Sequence, residues 1–397
     1  MYHLSQFSPL ELLLTGTAAA TFIVQVLYYR ITYTRPYRKS TVRQNALKKD
    51  QGEEPRPPLS VIVYANNESH NLKENLPLLL SQDYPKYEII VVNDGSTDES
   101  DDILKLFEND HPHLYHTFVP QESRNLSRRK LSLTIGVKAA RYDTLLFTRA
   151  SCHPLSDKWL ASIARNYTTP QTSIVLGFCS YPPAGGFFHR LVSYDNLLTG
   201  VQYLSAGLEG HPYSADGKNL SYRKALFYEH KGYSHTIGLQ AGDDDLFVNR
   251  FATSGNTKVE YAPESITRSA PFDCFAAWRE MKASRLSTER YFKGSRLWLY
   301  RIEKASAALF LLSSVASIVT GIIYNHLPTA TAGFLLYFFL YIIKAVVWEK
   351  LAALLRQQTF TAWLPLLEIA RLFTSLYMRA YRLFNRRRDY TFNISGK

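Results

Sequence analysis

The sequence predicts an α/β domain built on a parallel sheet and fastened to a membrane at both ends. Three observations carry this. Short β-branched runs alternate with helical patterns across residues 58–300, long apolar runs flank that region, and basic residues gather beside the apolar runs. Strand, helix and strand at such spacing mark a parallel, Rossmann-like sheet. At 397 residues the chain is long enough for one large domain with a substantial core.

The first element, residues 12–29, is nearly all apolar, and a bilayer takes about 20 such residues. No basic stretch precedes it and no small-residue cleavage site follows it, so residues 1–30 read as an anchor that is kept. Arg30, Arg35, Arg38, Lys39, Arg43, Lys48 and Lys49 all follow this run. That bias points the N-terminus outward and sends the chain into the cytosol. Residues 31–57 then read as a basic, Pro-ended linker.

Within residues 58–300, strands are expected at 60–64, 87–92, 144–148 and 173–176, with helices at 71–82 and 98–108. Residues 301–397 read as membrane helices and a basic tail. The runs 305–324 and 329–348 are each long enough to cross, and Lys344 near one end is placed to snorkel. A third run, 361–378, is broken by Pro365, Glu368 and Arg371. Were it to cross, Arg386, Arg387 and Arg388 would lie outside, against the positive-inside tendency, so it reads as an interfacial helix. The expected location is a membrane, the inner membrane of a bacterium, with both soluble regions cytosolic.

Composition narrows the class further. The chain is 46% hydrophobic and 14% aromatic, which excludes a disordered protein. A mean hydropathy of -0.18 is too polar for a polytopic transporter. Cys152, Cys179 and Cys274 are scattered and form no C-x-x-C pair, so neither a disulfide framework nor a zinc site is expected. The net charge of +12 is concentrated beside apolar runs, which marks a membrane face and not a nucleic-acid surface.

Ligands of open parallel sheets bind beyond the carboxyl ends of the strands. The first strand ends in Tyr64-Ala65-Asn66-Asn67-Glu68, the second in Asn93-Asp94-Gly95-Ser96-Thr97-Asp98. A carboxylate there can accept from a base N–H while nearby amides meet phosphate; equally, Asp94 and Ser96 can cap the next helix. Together with Gln82-Asp83-Tyr84-Pro85 and the strand from Tyr87, this ordered set closely resembles family 2 glycosyltransferases over residues 58–292. The resemblance implies a GT-A fold, a nucleotide-sugar donor, usually UDP-linked, and an inverting mechanism. It places Tyr64 and Asn66 beside the donor nucleoside, Asp94 on its base, Glu68 at the same strand end, and Arg129 and Lys130 at a basic position near the donor.

The family's next element is absent in its usual form. Where Asp-x-Asp normally holds Mg²⁺ or Mn²⁺ against the diphosphate, this chain reads Arg149-Ala150-Ser151. A divalent metal is therefore doubtful, and a guanidinium can itself pair with phosphate oxygens. An inverting transfer still needs a base for the acceptor hydroxyl. Gly242-Asp243-Asp244-Asp245-Leu246 supplies candidates, and crowding of three carboxylates raises at least one pKa. The family's spacing to a later Arg and Gly, here Arg250 and Gly255, matches Asp244 to the base and Asp243 to its acidic neighbour; Asp243 and Asp245 remain alternatives. Gly217 and Asn219 resemble the family's acceptor-side loop. Arg285 stands where processive synthases carry Gln-x-x-Arg-Trp, with only the Arg retained.

The function expected is transfer of sugar to a lipid-linked or membrane-proximal glycan. Loss of Asp-x-Asp supports a rival, an inactive donor-binding protein that regulates a partner transferase. A sugar-nucleotide pyrophosphorylase would need a Gly-rich basic loop after the first strand, which Asn66-Asn67-Glu68 does not supply.

Overall fold

The structure is a computed structural model that describes residues 8–40, 56–119 and 127–384. Most of the expected basic linker and the Arg386 to Arg388 cluster fall outside the described residues.

The first helix, α1 (Pro9–Tyr28), starts at a capping box: the Ser8 hydroxyl accepts from the Glu11 N–H, and Glu11 returns the bond to the Ser8 N–H. It runs through a π-helical turn, Tyr29–Tyr33, and stays helical to Ser40. Residues 31–40, expected as linker, therefore extend the helix. Tertiary contacts hold them: Arg35 pairs with Glu209 at 2.9 Å, and Lys39 Nζ donates to the Leu208 carbonyl at 2.5 Å.

The α/β domain follows in the order β1 (Leu59–Ala65), α2 (Ser69–Leu80), β2 (Tyr87–Asn93), α3 (Ser100–Asp110), β3 (Leu114–Phe118), α4 (Arg128–Ala139) and β4 (Thr144–Arg149). The four strands pair in parallel, β3-β2-β1-β4; β1, β2 and β4 fall on runs expected as strands, and β3 adds an edge strand that was not expected. β1, β2 and β4 are buried on both faces, which is why they read as continuous apolar runs, whereas the edge strand β3 is partly exposed. Gly136 lets α4 lie close on this sheet, since a Cβ there would stand 2.6 Å from Ile62 Cγ2.

Beyond β4 the sheet departs from the all-parallel expectation. After β5 (Cys152–Pro154) and α5 (Trp159–Ala164) come β6 (Ile174–Leu176) and β7 (Cys179–Ser180). A long helix, α6 (Phe187–Leu208), leads to β8 (Leu220–Arg223), which pairs antiparallel with both β4 and β6. The short helices α7 (Lys224–Glu229) and α8 (Asp245–Phe251) precede β9 (Thr257–Val259), which closes a seven-stranded sheet in the order β3-β2-β1-β4-β8-β6-β9. A second sheet sets β10 (Thr267–Ser269) between β5 and β7. Short strands of two to four residues give little periodicity to read.

Helix α9 (Phe275–Thr288) returns the chain to the membrane side, followed by α10 (Arg296–Ile323), α11 (Leu327–Leu354) and α12 (Leu364–Phe384). Among the described residues three helices are long and apolar enough to cross a membrane: Pro9–Ser40, Arg296–Ile323 and Leu327–Leu354. They form one bundle. Glu11 of α1 accepts from His326 in the α10–α11 turn at 2.9 Å at one end, and Trp348 Nε1 donates to the Tyr29 hydroxyl at 3.0 Å at the other. That second end packs on the α/β domain through Tyr194 and Phe360.

Helix α12 is amphipathic, as expected for an interfacial element. Leu366, Phe373, Leu376 and Phe384 are exposed, while Leu364, Leu367 and Met378 are buried. Lys344 does not snorkel: it is 4% exposed and pairs with Glu368 of α12 at 2.6 Å. Arg371 of α12 likewise pairs with buried Glu303 of α10 at 2.9 Å. The charges that break the apolar run are thus the groups that dock the helix. Losing one partner would strand a buried charge.

Candidate active site

The carboxyl ends of β1, β2 and β4 converge on one cleft. One end of it is formed by the loops that follow β1 and β2. The Tyr64 hydroxyl donates to Asp94 Oδ2 at 2.8 Å, and Asn66 Nδ2 donates to the Asp94 carbonyl at 2.7 Å. Asn67 sits in the left-handed region at φ 53, and its side-chain carbonyl accepts from the Thr97 N–H at 2.8 Å. Asparagine tolerates that conformation, and the bond stitches the two loops together. Glu68 lines the cleft; burial pushes its carboxyl up, while a hydrogen bond from Asn71 opposes the shift.

Of the two basic residues expected near the donor, Arg129 lines the cleft and Lys130 does not. Arg128, and not its neighbour, meets the Asp94 carboxylate, with a guanidinium nitrogen 2.9 Å from Oδ1. Arg129 instead turns inward to Asp243, 2.7 Å away. Lys130 is fully buried in the first turn of α4, where Nζ donates to the Thr236 and Leu239 carbonyls. It is a strut under the loop that leads to the aspartates and lines neither face of the cleft. The 100° advance per residue of a helix separates these three neighbours.

Asp243, Asp244 and Asp245 arrive just before and at the first residue of α8 and occupy three environments. Asp243 is buried; burial pushes its carboxyl up and the Arg129 guanidinium pulls against that shift. Asp245 is also buried, accepting from the Thr288 hydroxyl and from the Leu246 N–H at 2.6 Å. Its carboxyl is pushed up to about 7, first by burial and then by the charge of Asp244. Asp244 is the partly exposed member. Its Oδ2 accepts from the Gly217 N–H at 2.8 Å and its Oδ1 from the Asp245 N–H at 2.7 Å. Gly217 fits closely there: a Cβ would stand 3.2 Å from Asp244 Oδ2 and 3.3 Å from Arg129, so either side chain would have to give way.

The raised Asp245 carboxyl makes a prediction. Its folded value of about 7 lies above the model-compound 3.8, so the folded protein holds the proton more tightly than the unfolded chain. This contribution to stability is complete at low pH and is lost as pH rises towards 7. Asp245→Asn removes it. The Tm of the variant should therefore rise relative to the unaltered protein between about pH 4 and pH 7, measured by thermal denaturation across that range. A constant difference would show that Asp245 does not titrate there.

The floor of the cleft is cationic. Arg149 ends β4, opposite Tyr64 in the register, and its Nε is buried with no hydrogen-bond acceptor among the described residues. Ser151 lines the same cleft two residues on. Arg285 of α9 donates to Asp216 Oδ2 at 2.8 Å, and Lys218 Nζ lies 3.6 Å from the same carboxylate. Burial opposes the charge on Asp216, yet Lys218 and Arg285 outweigh it and hold the carboxyl well below its usual range. Asp216 and Lys218 flank the predicted Gly217, but only the fold shows that they meet Arg285. Asn219 is not at an acceptor face: it is 1% exposed and ties Trp159, Phe178 and Ser265 together.

The whole opening holds about 900 Å³ and brings Glu68, Arg129, Arg149, Ser151, Asp243, Asp244 and Arg285 together. No group of three or more His, Cys, Asp or Glu residues is placed to hold a metal ion among the described residues. The position that would face a diphosphate-bound ion carries a guanidinium and a hydroxyl, a donor set that does not fit a hard divalent cation.

A strand-end corner, a cationic floor and an aspartate cluster thus meet in one cleft. Residues 60–230 match the model of glycosyl transferase family 2. It is 29% identical over 126 residues, 32% of its length, to a poly-β-1,6-N-acetyl-D-glucosamine synthase of Staphylococcus epidermidis. It is 27% identical over 145 residues, 36% of its length, to glycosyltransferase AglE of Haloferax volcanii. These stretches span only 28% and 46% of the respective relatives. A mannosyltransferase of Pyrobaculum calidifontis, solved with GDP-Man and Mn²⁺, superposes with a TM-score of 0.56 at 21% identity, covering 89% of this chain and 99% of that one. The fold is GT-A.

Proposed function

We propose that the protein is an inverting glycosyltransferase that moves a sugar from a nucleotide-linked donor, UDP-linked in the first instance, to a lipid-linked or membrane-proximal glycan at the cytosolic face of a bacterial inner membrane. The observation that carries this is Asp244, a partly exposed carboxylate held by two backbone N–H groups at the edge of a cleft floored by Arg149 and Arg285.

Each residue then has a task. Tyr64, Asn66 and Asp94 shape the nucleoside corner, with Arg128 fixing the Asp94 carboxylate. The diphosphate lies towards Arg149, whose unpartnered Nε offers it a donor. Asp244 accepts the proton of the acceptor hydroxyl as that oxygen attacks the anomeric carbon from the face opposite the diphosphate. The glycosidic C–O bond breaks, and the nucleoside diphosphate leaves with the electron pair into the field of Arg149 and Arg285. Asp243 is buried against Arg129 and Asp245 against Thr288, whereas Asp244 is the partly exposed carboxylate that an acceptor hydroxyl can reach. No step passes through a metal, because the residues at that position do not fit one.

The same replacement of Asp-x-Asp favours a second reading, an inactive donor-binding protein acting on a partner transferase. Release of nucleoside diphosphate from UDP-, GDP- and dTDP-sugars, measured beside the thermal shift each induces, separates the two. The expected result is one donor class that both raises Tm and is turned over. A shift without turnover, even with membrane lipids and glycans supplied, would favour the inactive reading. Failure of every donor to bind would remove both.

A further inference from the structure

A second chamber of about 1270 Å³ adjoins the cleft, enclosed by α6, α9, α10 and α12. Asp245 and Arg285 line both spaces and form the partition between them. The chamber's remaining wall is unusual in charge. Lys282 pairs with Asp195 at 2.8 Å and Arg371 with Glu303 at 2.9 Å. By contrast Arg290, Lys304, Arg379 and Arg382 also line it, and none of these four has a carboxylate within ion-pairing distance among the described residues. Gathering the guanidinium groups of Arg290, Arg379 and Arg382 around one partly enclosed space is costly through mutual repulsion. An anion of two or more charges would relieve that cost.

Apolar residues line the side next to α10, a helix able to cross a membrane. Trp278, Leu286 and Met378 line the interior, and Trp298 and Leu383 line the outer rim, where each is more than half exposed. Trp298 opens α10, one of the helices able to cross a bilayer, and an indole at such a helix end suits the headgroup layer. The opposite wall is the amphipathic α12. An occupant thus meets apolar surface at the membrane side, cations in the middle, and the aspartates at its inner end.

We propose that this chamber seats a lipid-diphosphate-linked sugar as the acceptor. Its hydrocarbon tail leaves between α10 and α12, its diphosphate lies against Arg290, Lys304, Arg379 and Arg382, and its sugar hydroxyl reaches Asp244 past the Asp245 and Arg285 partition. The acidic cluster argues for a hydroxyl nucleophile on that sugar: a hydroxyl needs a proton acceptor, whereas a terminal phosphate oxygen is already anionic at neutral pH. This inference rests on the glycosyltransferase reading for the word acceptor, but its test reads binding and requires no turnover.

The full chain in detergent is titrated with three probes while the fluorescence of Trp278 and Trp298 is followed: a long-chain prenyl-diphosphate monosaccharide, an uncharged alkyl glycoside of the same sugar, and inorganic pyrophosphate. The prenyl-diphosphate sugar should bind saturably and at least about tenfold more tightly than either other probe. Arg290→Ala with Arg379→Ala should weaken it by about tenfold or more, leave the donor-induced thermal shift in place, and recover when both positions are Lys. Equal binding of the alkyl glycoside, unchanged binding by the double Ala variant, or pyrophosphate binding as tight as the lipid would each overturn the proposal. Lipid binding in a chain that turns over no donor would leave this site standing and remove the transferase reading; turnover without lipid binding would do the reverse.

Discussion

Asp244→Asn lowers sugar transfer by about 10² to 10⁴-fold and leaves donor affinity nearly unchanged. The amide keeps the size of the side chain and can still accept from one of the Gly217 and Asp245 N–H groups, which bond the two carboxylate oxygens separately at 2.8 and 2.7 Å. What it loses is the capacity to take the acceptor's proton. The measurement is initial transfer rate at saturating donor, with donor binding followed separately by thermal shift. Asp243→Asn should act differently, because it releases Arg129 from a 2.7 Å ion pair and so disturbs the charge of the cleft as well as its chemistry. If Asp244→Asn kept near-normal transfer while Asp243→Asn or Asp245→Asn abolished it, the base would be one of those neighbours.

Arg149→Ala should cost about 10² to 10³-fold in transfer, the usual scale for removing one preorganised donor to developing negative charge. The side chain ends β4 with a buried, unpartnered Nε, which is an expensive arrangement unless a ligand completes it. Arg149→Lys should fall between, since an ammonium keeps the charge but not the planar fork. Transfer should persist in excess EDTA. Abolition by EDTA with recovery on adding Mn²⁺ or Mg²⁺ would show that a metal, and not Arg149, neutralises the leaving group. The likeness to a mannosyltransferase solved with Mn²⁺ makes that comparison informative.

The parts of this molecule legible before folding were those with local causes. Four β-branched runs became β1, β2, β4 and β6 because apolar strands buried on both faces leave continuous runs. The nucleoside corner was legible because both of its loops follow strand ends directly. Antiparallel β8 and the small β5-β10-β7 sheet were not, since their few residues mix polar with apolar positions and leave neither an apolar run nor a usable period.

The sequence by itself determined the strand-and-helix core, the apolar helices able to span a bilayer, the aspartate cluster and the replacement of Asp-x-Asp by Arg149-Ala150-Ser151. Each is set by short-range pattern. Only the tertiary structure decided how charges pair across long separations. It turned Arg129 onto Asp243 and Arg128 onto Asp94, joined Arg285 to Asp216, buried Lys130 beneath the 236–239 loop, and docked α12 through Lys344–Glu368 and Glu303–Arg371. An ion pair depends on which side chains reach one another within about 4 Å. Helix phase and packing angle set that distance, and neither is written in the residue pattern of one segment.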